Sequence, residues 1–521
     1  MLLGSRAPLA FAVATLALGA ACASRHTQDP PRLDPHEERP VVAVAVRDPE
    51  PAAARPAALA AGTCEEGGAG KKARFTLAHF NDFQARYTDR IGGRSRYAYV
   101  AGYLRALKRE VPSTLVLDAG DDYEKGSLAE LRSMGETTRR MIQALPIDVR
   151  TIGNHDFSYG EAAVVRDVEL SAHPVLAANV TYERGGKPLF ERFVKARVGC
   201  VTVGIIGLVT QNYGADDQPT REPFCGVFKQ DNHYAEVLER EVKAHRGEVD
   251  VMIALTHLGM YDDASLASAV SGVDLVVGAH TEDLLKEPRL VMRPDGTRAW
   301  VLQAGHYAET LGRADLVWDP KDRSLAFEKY RIVDVDTSLP HAEDVARLAD
   351  DVEKDAVPEL HAVVAVSRTE IKPGREMADL VWRAAQDRWA ADALVVGRDH
   401  FWEGIPRGPV TLARLYRTVL VQREPTGTTG FSSLYVAEVT GEELLALKAS
   451  MTGASAYEMY LPHPVAPKKT YRLLLDKRAM MYPGYAFTGA VKAPAGRFAG
   501  ELIDVLESYA RARGERGLPL D

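Results

Sequence analysis

The sequence predicts an α/β protein built from two unequal units. Three observations lead there. Between Arg74 and about Val335, short apolar runs alternate with stretches of helical spacing, as expected of strands buried on both faces with helices packed over them. Five of those runs stop at residues able to bind a metal ion, and α/β sheets place their chemistry at the carboxyl ends of strands. Beyond a charged stretch at residues 341–356, a second set of strands and helices runs from about Val363 to the end. The 521 residues leave room for two substantial domains and extra segments. The net charge of −8 supplies no basic surface for a nucleic acid polymer.

The first 22 residues stand outside the fold. Arg6 precedes an apolar segment, Leu9 to Leu18, that is too short to span a bilayer, and Gly19-Ala20-Ala21 lead to Cys22. This resembles a bacterial lipoprotein signal, although Leu18 stands four residues before the cysteine rather than the usual three. The resemblance implies export, lipidation at Cys22, and a membrane-anchored protein on the periplasmic or cell-surface side. Residues 23–72 are rich in Pro, Ala, Gly and charge without apolar periodicity, so a disordered tether with an end-to-end distance of roughly 40 Å is expected. Export permits disulfides. Of Cys64, Cys200 and Cys225, the last two are the more natural pair, with free buried thiols the open alternative.

The elements then follow in order. Phe75 to Phe80 runs into Asn81-Asp82-Phe83-Gln84. Tyr97 to Lys108 is a helix with Val100, Leu104 and Leu107 on one face. Thr114 to Leu117 runs into Gly120-Asp121, and Val149 to Ile152 into Gly153-Asn154-His155-Asp156. Val201 to Leu208 is a further buried strand. Val251 to Thr256 runs into His257, and Asp274 to Val277 into Gly278-Ala279-His280-Thr281-Glu282. These elements make a domain over 73–337, and residues 338–362 read as a charged linker helix. In the second unit, 363–521, a helix over Met377–Trp389 precedes a strand at Ala393–Val396. A strand at Leu434–Val439 turns at Thr440-Gly441 into a helix over Glu442–Lys448, and a last helix is expected over Ala499–Arg511.

The donors gathered at the strand ends suit a pair of divalent ions. Two cations about 3.5–4 Å apart need a bridging carboxylate, further ligands on each ion, and an open position for water. Asp121 suits the bridge, Asn154 offers a neutral oxygen, and His257 and His280 offer imidazole nitrogens. His155 can give a proton to a leaving oxygen or stabilise charge.

In this order, the motifs Asn81-Asp82, Gly120-Asp121, Gly153-Asn154-His155-Asp156, Thr256-His257-Leu258-Gly259 and Gly278-Ala279-His280 resemble those of calcineurin-like metallophosphoesterases. The nearest branch is the 5′-nucleotidases with a C-terminal domain. Gly126-Ser127, Gln303-Ala304-Gly305 through Leu311-Gly312, and Glu438 to Leu444 match as well. The resemblance implies a four-layer αββα sandwich followed by a smaller α/β domain. It implies one metal position at Asp82, Gln84, Asp121 and Glu282, a second at Asp121, Asn154, His257 and His280, and catalytic roles for Asn154, His155 and Asp156. The implied reaction is hydrolysis of a phosphomonoester or small diester, nucleotides among the candidates, by attack of metal-bound hydroxide.

Departures from the family qualify this. Gln84 stands where histidine is usual, and Glu282 where histidine or glutamine is usual. The first position would then hold only oxygen donors, which favours a mixed pair among Mn²⁺, Mg²⁺, Ca²⁺ and Zn²⁺. Ser158 replaces the aspartate that usually pairs with the motif histidine. Trp402 falls near the phosphate-gripping arginine of the C-terminal domain, with Arg398 as a possible substitute, and Met481 to Tyr485 lack the nucleoside-clamping aspartate. The alternative is a surface lipoprotein on a weakened catalytic scaffold that binds a phosphorylated ligand, a metal or a protein partner. The oligomeric state is not legible.

Overall fold

A computed structural model describes residues 59–61, 71–123, 127–184, 187–210, 228–419, 432–451, 456–481, 484, 486–488, 494 and 496–521. The signal segment with Cys22, most of the tether, Cys64, Cys225, Tyr482 and Tyr485 lie outside the described residues.

Two sheets face each other in the N-terminal part. The six-stranded sheet runs Ser324–Asp334, Thr310–Asp319, Ala73–Phe80, Thr114–Asp118, Val149–Thr151, Val175–Leu176. Its last four strands are mutually parallel. The seven-stranded sheet runs Leu59–Ala61, Phe193–Val198, Val201–Val209, Val251–His257, Leu275–Val277, Arg298–Leu302, Arg289–Met292. The strands from Val201 to Leu302 in that order are also parallel. Parallel pairing sends the carboxyl ends of these four strands in each sheet the same way, which is what lets distant segments contribute to one site.

Alternation along each strand builds the layers. Leu77, Leu115 and Leu117 meet Ile205, Ile253, Leu255 and Val277 in a core between the sheets. Their neighbours Ala78, Phe80 and Val116 face outward onto helices Arg96–Glu110 and Glu343–Ala356. Ile206, Leu208, Met252, Ala254 and Val276 likewise face helices Tyr234–His245 and Met260–Ala269. Both faces of the strands are covered, so the sequence shows continuous apolar runs rather than alternation. The result is the expected helix–sheet–sheet–helix sandwich. The helix read as a charged linker packs into it: Val345, Ala349 and Val352 are buried beside the Arg96–Glu110 helix, and its buried Glu353 pairs with Arg90.

The C-terminal unit is a five-stranded sheet in the order Tyr457–Tyr460, Ala393–Gly397, Thr470–Asp476, Ser433–Thr440, Arg497–Glu501. Helices Arg375–Trp389 and Leu502–Glu515 bury one face, and Gly441–Ser450 packs on the other. Thr440 and Glu443 form a reciprocal capping box at the start of the latter helix.

Two boundaries differ from the sequence reading, both through sheet pairing. Arg497–Glu501 is an edge strand on Ser433–Val436, so the last helix starts at Leu502 rather than Ala499. Within the supposed tether, Leu59–Ala61 adds as a parallel edge strand to Ala196–Val198. Cys200 is disulfide-bonded, which removes the free-thiol alternative for it. Among the described residues, no helix is long and apolar enough to cross a membrane.

Candidate metal centre

The predicted donors come from both sheets. Asp82, Gln84, Asp121 and Asn154 follow strands of the six-stranded sheet. His257 ends a strand of the seven-stranded sheet, and His280 and Glu282 follow the next one. Asp82, Gln84, Asp121, His280 and Glu282 all have left-handed backbone (φ 54°, 45°, 59°, 78° and 59°) although none is glycine. Such conformations cost of order 1–3 kcal/mol each and persist where the surroundings enforce them, most often at functional sites. Gly120 and Gly153 allow the enforcing contact. A Cβ on Gly120 would lie 2.5 Å from the Gly153 nitrogen, and one on Gly153 would lie 2.0 Å from Asp121 Oδ1.

Hydrogen bonds fix the loops to each other. The N–H groups of Asp82 and Gln84 donate to the carbonyls of Gly120 and Asp121, each at 2.9 Å. His155 N–H donates to Asp121 Oδ1 at 2.8 Å. Asp82 Oδ2 accepts from Asn81 Nδ2 (2.7 Å) and from His280 N–H (3.1 Å). His257 Nδ1 sits 2.8 Å from the Ala119 carbonyl. That contact holds a proton on Nδ1, so that a cation displacing the proton on Nε2 would find that nitrogen's lone pair aimed at it.

The remaining lone pairs test whether a cation fits. Asp82 Oδ1, Gln84 Oε1, Asn154 Oδ1 and His257 Nε2 are buried without a hydrogen-bond partner. His257 Nε2 lies 3.0 Å from Asp121 Oδ2 and 4.0 Å from Asp82 Oδ1. At 3.0 Å the nitrogen and the Asp121 oxygen still lack hydrogen-bond alignment, as two donors aimed at a common third point would. Asp121, His257 and His280 offer ligand atoms all within 4.8 Å of one another, and no second such group of three occurs among the described residues. Buried polar atoms are ordinarily satisfied. Four that are not, around a buried carboxylate, fit a cation. These residues would hold it, with the second position the tighter and the first more spread.

Electrostatics agree. Burial pushes the Asp82 carboxyl up to about 7, against the opposing pull of His257. Burial also penalises the Asp121 carboxylate, but the imidazoles of His257, His155 and His280 outweigh it and keep that group below the usual range. Burial lowers His257, yet Asp121 and Asp82 overcome this and carry it up to about 10. The cluster therefore draws positive charge to itself.

Other predicted residues are placed differently. The Asp156 carboxylate accepts from four backbone N–H groups: Gly153 (2.6 Å) and Asp121 (3.2 Å) on Oδ2, Asp122 (2.9 Å) and Tyr123 (3.3 Å) on Oδ1. It ties the Asp121 and Asn154 loops together. His155 is partly exposed with Nε2 3.9 Å from Asp121 Oδ2, on the open side of the cluster. Ser158 is buried, and its N–H donates to the His155 carbonyl. Arg398 lies against its own sheet, with Nη1 3.6 Å from Glu458 and Nε 3.4 Å from the Ala456 carbonyl. Trp402 does reach the other unit. The Arg86 guanidinium stacks 5.2 Å from its ring and 4.2 Å from that of Tyr307. Close by, Arg417 joins Asp89 (3.3 Å) to Glu403 (2.8 Å) across the same boundary.

Sequence reasoning missed Arg86, Tyr307, Arg150 and His306. Arg150 is fully buried, paired with Asp122 (3.4 Å) and Asp167 behind the Asp121 loop. Its signal was an arginine inside an apolar run. His306 Nδ1 lies 3.6 Å from Glu282 Oε2. Its signal was a sixth strand, Arg298–Leu302, whose following loop reaches a glycine and a histidine, Gly305-His306.

Two facing sheets with metal donors at their carboxyl ends define the metallophosphoesterase class. Residues 75–282 match the calcineurin-like phosphoesterase family, and the protein carries a calcineurin-like metallophosphoesterase domain. The chain is similar to an apyrase of Tabanus yao (26% identity over 279 residues, 48% of this chain and 49% of that protein). It is also similar to a snake venom 5′-nucleotidase of Gloydius brevicauda (28% over 274 residues, 47% and 45%). The chain thus spans about half the length of these relatives. The 5′-nucleotidase precursor of Thermus thermophilus shares the two-unit fold, with a TM-score of 0.63 at 20% identity over 84% of this chain and 96% of that one.

Proposed function

We propose that the protein is an exported, dimetal-dependent phosphoesterase acting on a phosphomonoester or small phosphodiester. The observation that carries this is the set of three unpartnered buried oxygens, Asp82 Oδ1, Gln84 Oε1 and Asn154 Oδ1, gathered with the paired His257 and Asp121. Bound there, divalent ions would polarise the phosphoryl group and bring a water's pKa towards neutrality. Asp121, fixed through both backbone and carboxylate, is the group placed to bridge the two positions. Asn154, between two residues bonded to Asp121 and Asp156, can face the phosphoryl oxygens with its amide. His155, on the open side, can hold the proton that the departing oxygen needs. Without a carboxylate at Ser158 its ring is less firmly oriented, so it gives modest help. Arg86, Tyr307 and Trp402 form the wall where the C-terminal unit meets the metal-bearing one.

The names of the relatives support a nucleotide as substrate. The replacement of the expected arginine by Trp402 argues that this specificity is not simply inherited. Export and anchoring at Cys22 rest on the N-terminal pattern alone; fatty-acid labelling that survives Cys22→Ala would refute the anchor. The catalytic reading is tested with Asp121→Asn, assayed against generic mono- and diesters with Mn²⁺. Turnover should fall by more than about 100-fold, because partners outside the ligand set are already worth 10–100-fold. Undiminished activity in that variant, or wild-type activity indifferent to chelation, would end the proposal.

A further inference from the structure

The first metal position, as the family motifs define it, contains only oxygen donors in this chain: Asp82, Gln84, Asp121 and Glu282. The structure brings one more group to the Glu282 side of it, in a looser arrangement than the cluster of Asp121, His257 and His280. His306 Nδ1 lies 3.6 Å from Glu282 Oε2. That is too long for a hydrogen bond, and Nδ1 is buried without any hydrogen-bond partner. Ligands that share an ion at about 2.1 Å stand roughly 3–4 Å apart, so the spacing suits two donors on one cation. Glu282 is oriented from its other side, since Gln84 Nε2 donates to Oε1 at 3.2 Å and leaves Gln84 Oε1 unpartnered.

The loop that carries His306 is held onto Asp82. Asn81 Nδ2 donates to the Gly305 carbonyl (2.6 Å), Ala304 N–H donates to Asn81 Oδ1 (2.9 Å), and Tyr307 N–H donates to the Asp82 carbonyl (2.8 Å). Tyr307 and Ala308 both take left-handed backbone, φ 56° and 54°, although neither is glycine. This is the same backbone signature that Asp82, Gln84 and Glu282 carry. The Tyr307 ring meets the imidazole edge-on at 4.2 Å between centroids.

We infer that His306 is a metal ligand of the first position, replacing from a different strand end the imidazole absent at residues 84 and 282. The inference rests on the dimetal reading above and changes its consequence: the first position becomes a mixed nitrogen and oxygen site able to retain Zn²⁺ or a similar ion, not one restricted to hard cations.

The test is metal binding, independent of turnover. Metal-stripped wild type, His306→Ala and His306→Gln are titrated with Zn²⁺ against a competing chelator, and the zinc-loaded proteins are examined by X-ray absorption. Wild type should take two ions and show three imidazoles shared between them. His306→Ala should keep the tighter ion, lose 10–100-fold in affinity for the weaker one, and show two imidazoles. His306→Gln keeps the side chain's bulk and so guards against a collapsed loop; it should behave like the alanine variant for Zn²⁺. Two ions bound with wild-type affinity in both variants, with an unchanged imidazole count, would overturn the assignment and leave the dimetal reading standing. A wild type that binds fewer than two ions would overturn the dimetal reading itself.

Discussion

Replacing Asp156 by asparagine separates a structural from a chemical role for the motif carboxylate. Whichever oxygen the amide keeps, the other is replaced by an NH₂ group facing two backbone N–H donors. The better-bonded edge, facing Gly153 and Asp121, should retain the oxygen. The N–H groups of Asp122 and Tyr123 then lose their acceptor. Two buried donors left unsatisfied cost roughly 2–6 kcal/mol. Against this, burial and the neighbouring Asp121 push the Asp156 carboxyl up to about 6. A shift of that size disfavours the native carboxylate by about 3 kcal/mol, which the neutral amide escapes. The net change at pH 7 therefore lies between about 1 kcal/mol of stabilisation and 3 kcal/mol of destabilisation, from nearly no shift to several degrees in the melting temperature of the metal-free protein. The sharper effect is on metal binding, because the loops bearing Asp121 and Asn154 lose their common tie. Mn²⁺ affinity should fall 10–100-fold. Calorimetry of the metal-free protein and a Mn²⁺ titration measure both. A variant with wild-type melting and wild-type Mn²⁺ affinity but no turnover would refute the reasoning and restore a proton-transfer role for Asp156.

Asp263 is buried with one hydrogen bond, from Thr256 at 2.6 Å, and burial raises its carboxyl to about 8. The folded state therefore binds a proton that the unfolded state releases between about pH 4 and 8, so stability falls as pH rises through that window. Asp263→Asn should flatten this fall, gaining stability relative to wild type at pH 8 and little at pH 4.5; denaturant melts with parallel pH profiles would contradict it. Gly153→Ala places a Cβ 2.0 Å from Asp121 Oδ1 and should weaken Mn²⁺ binding at least about tenfold, which an unchanged titration would rule out. A double-mutant cycle on Arg86→Ala and Trp402→Ala should show a coupling of about 0.5–2 kcal/mol in stability; additivity would mean that the stacking holds nothing together.

Much of the fold was legible because strands covered on both faces leave unmistakable apolar runs, and the donors sit where those runs stop. Asp82, Asp121, His257 and His280 follow from that rule alone. The backbone contacts of Asp156 were not legible, because a carboxylate beside a catalytic motif looks the same whether it faces substrate or backbone, and only the folded loops show four N–H groups converging on it. Leu59–Ala61 and Arg497–Glu501 were unreadable as strands because neighbours supply their pairing, not their own residues. His306 escaped notice for a simpler reason: the run Ala299 to Leu302 that precedes it was not read as a strand ending at the site, yet its loop folds back onto Asp82.

The donor set straddles the sandwich, half of it rooted in one sheet and half in the other. An ion seated there would act as a rivet between two layers that otherwise meet through an apolar core and the few hydrogen bonds of these loops. Saturation at a hundred times the dissociation constant would add about 2.7 kcal/mol to the folded state. Starving the protein of metal would therefore unfasten the scaffold as well as silence it.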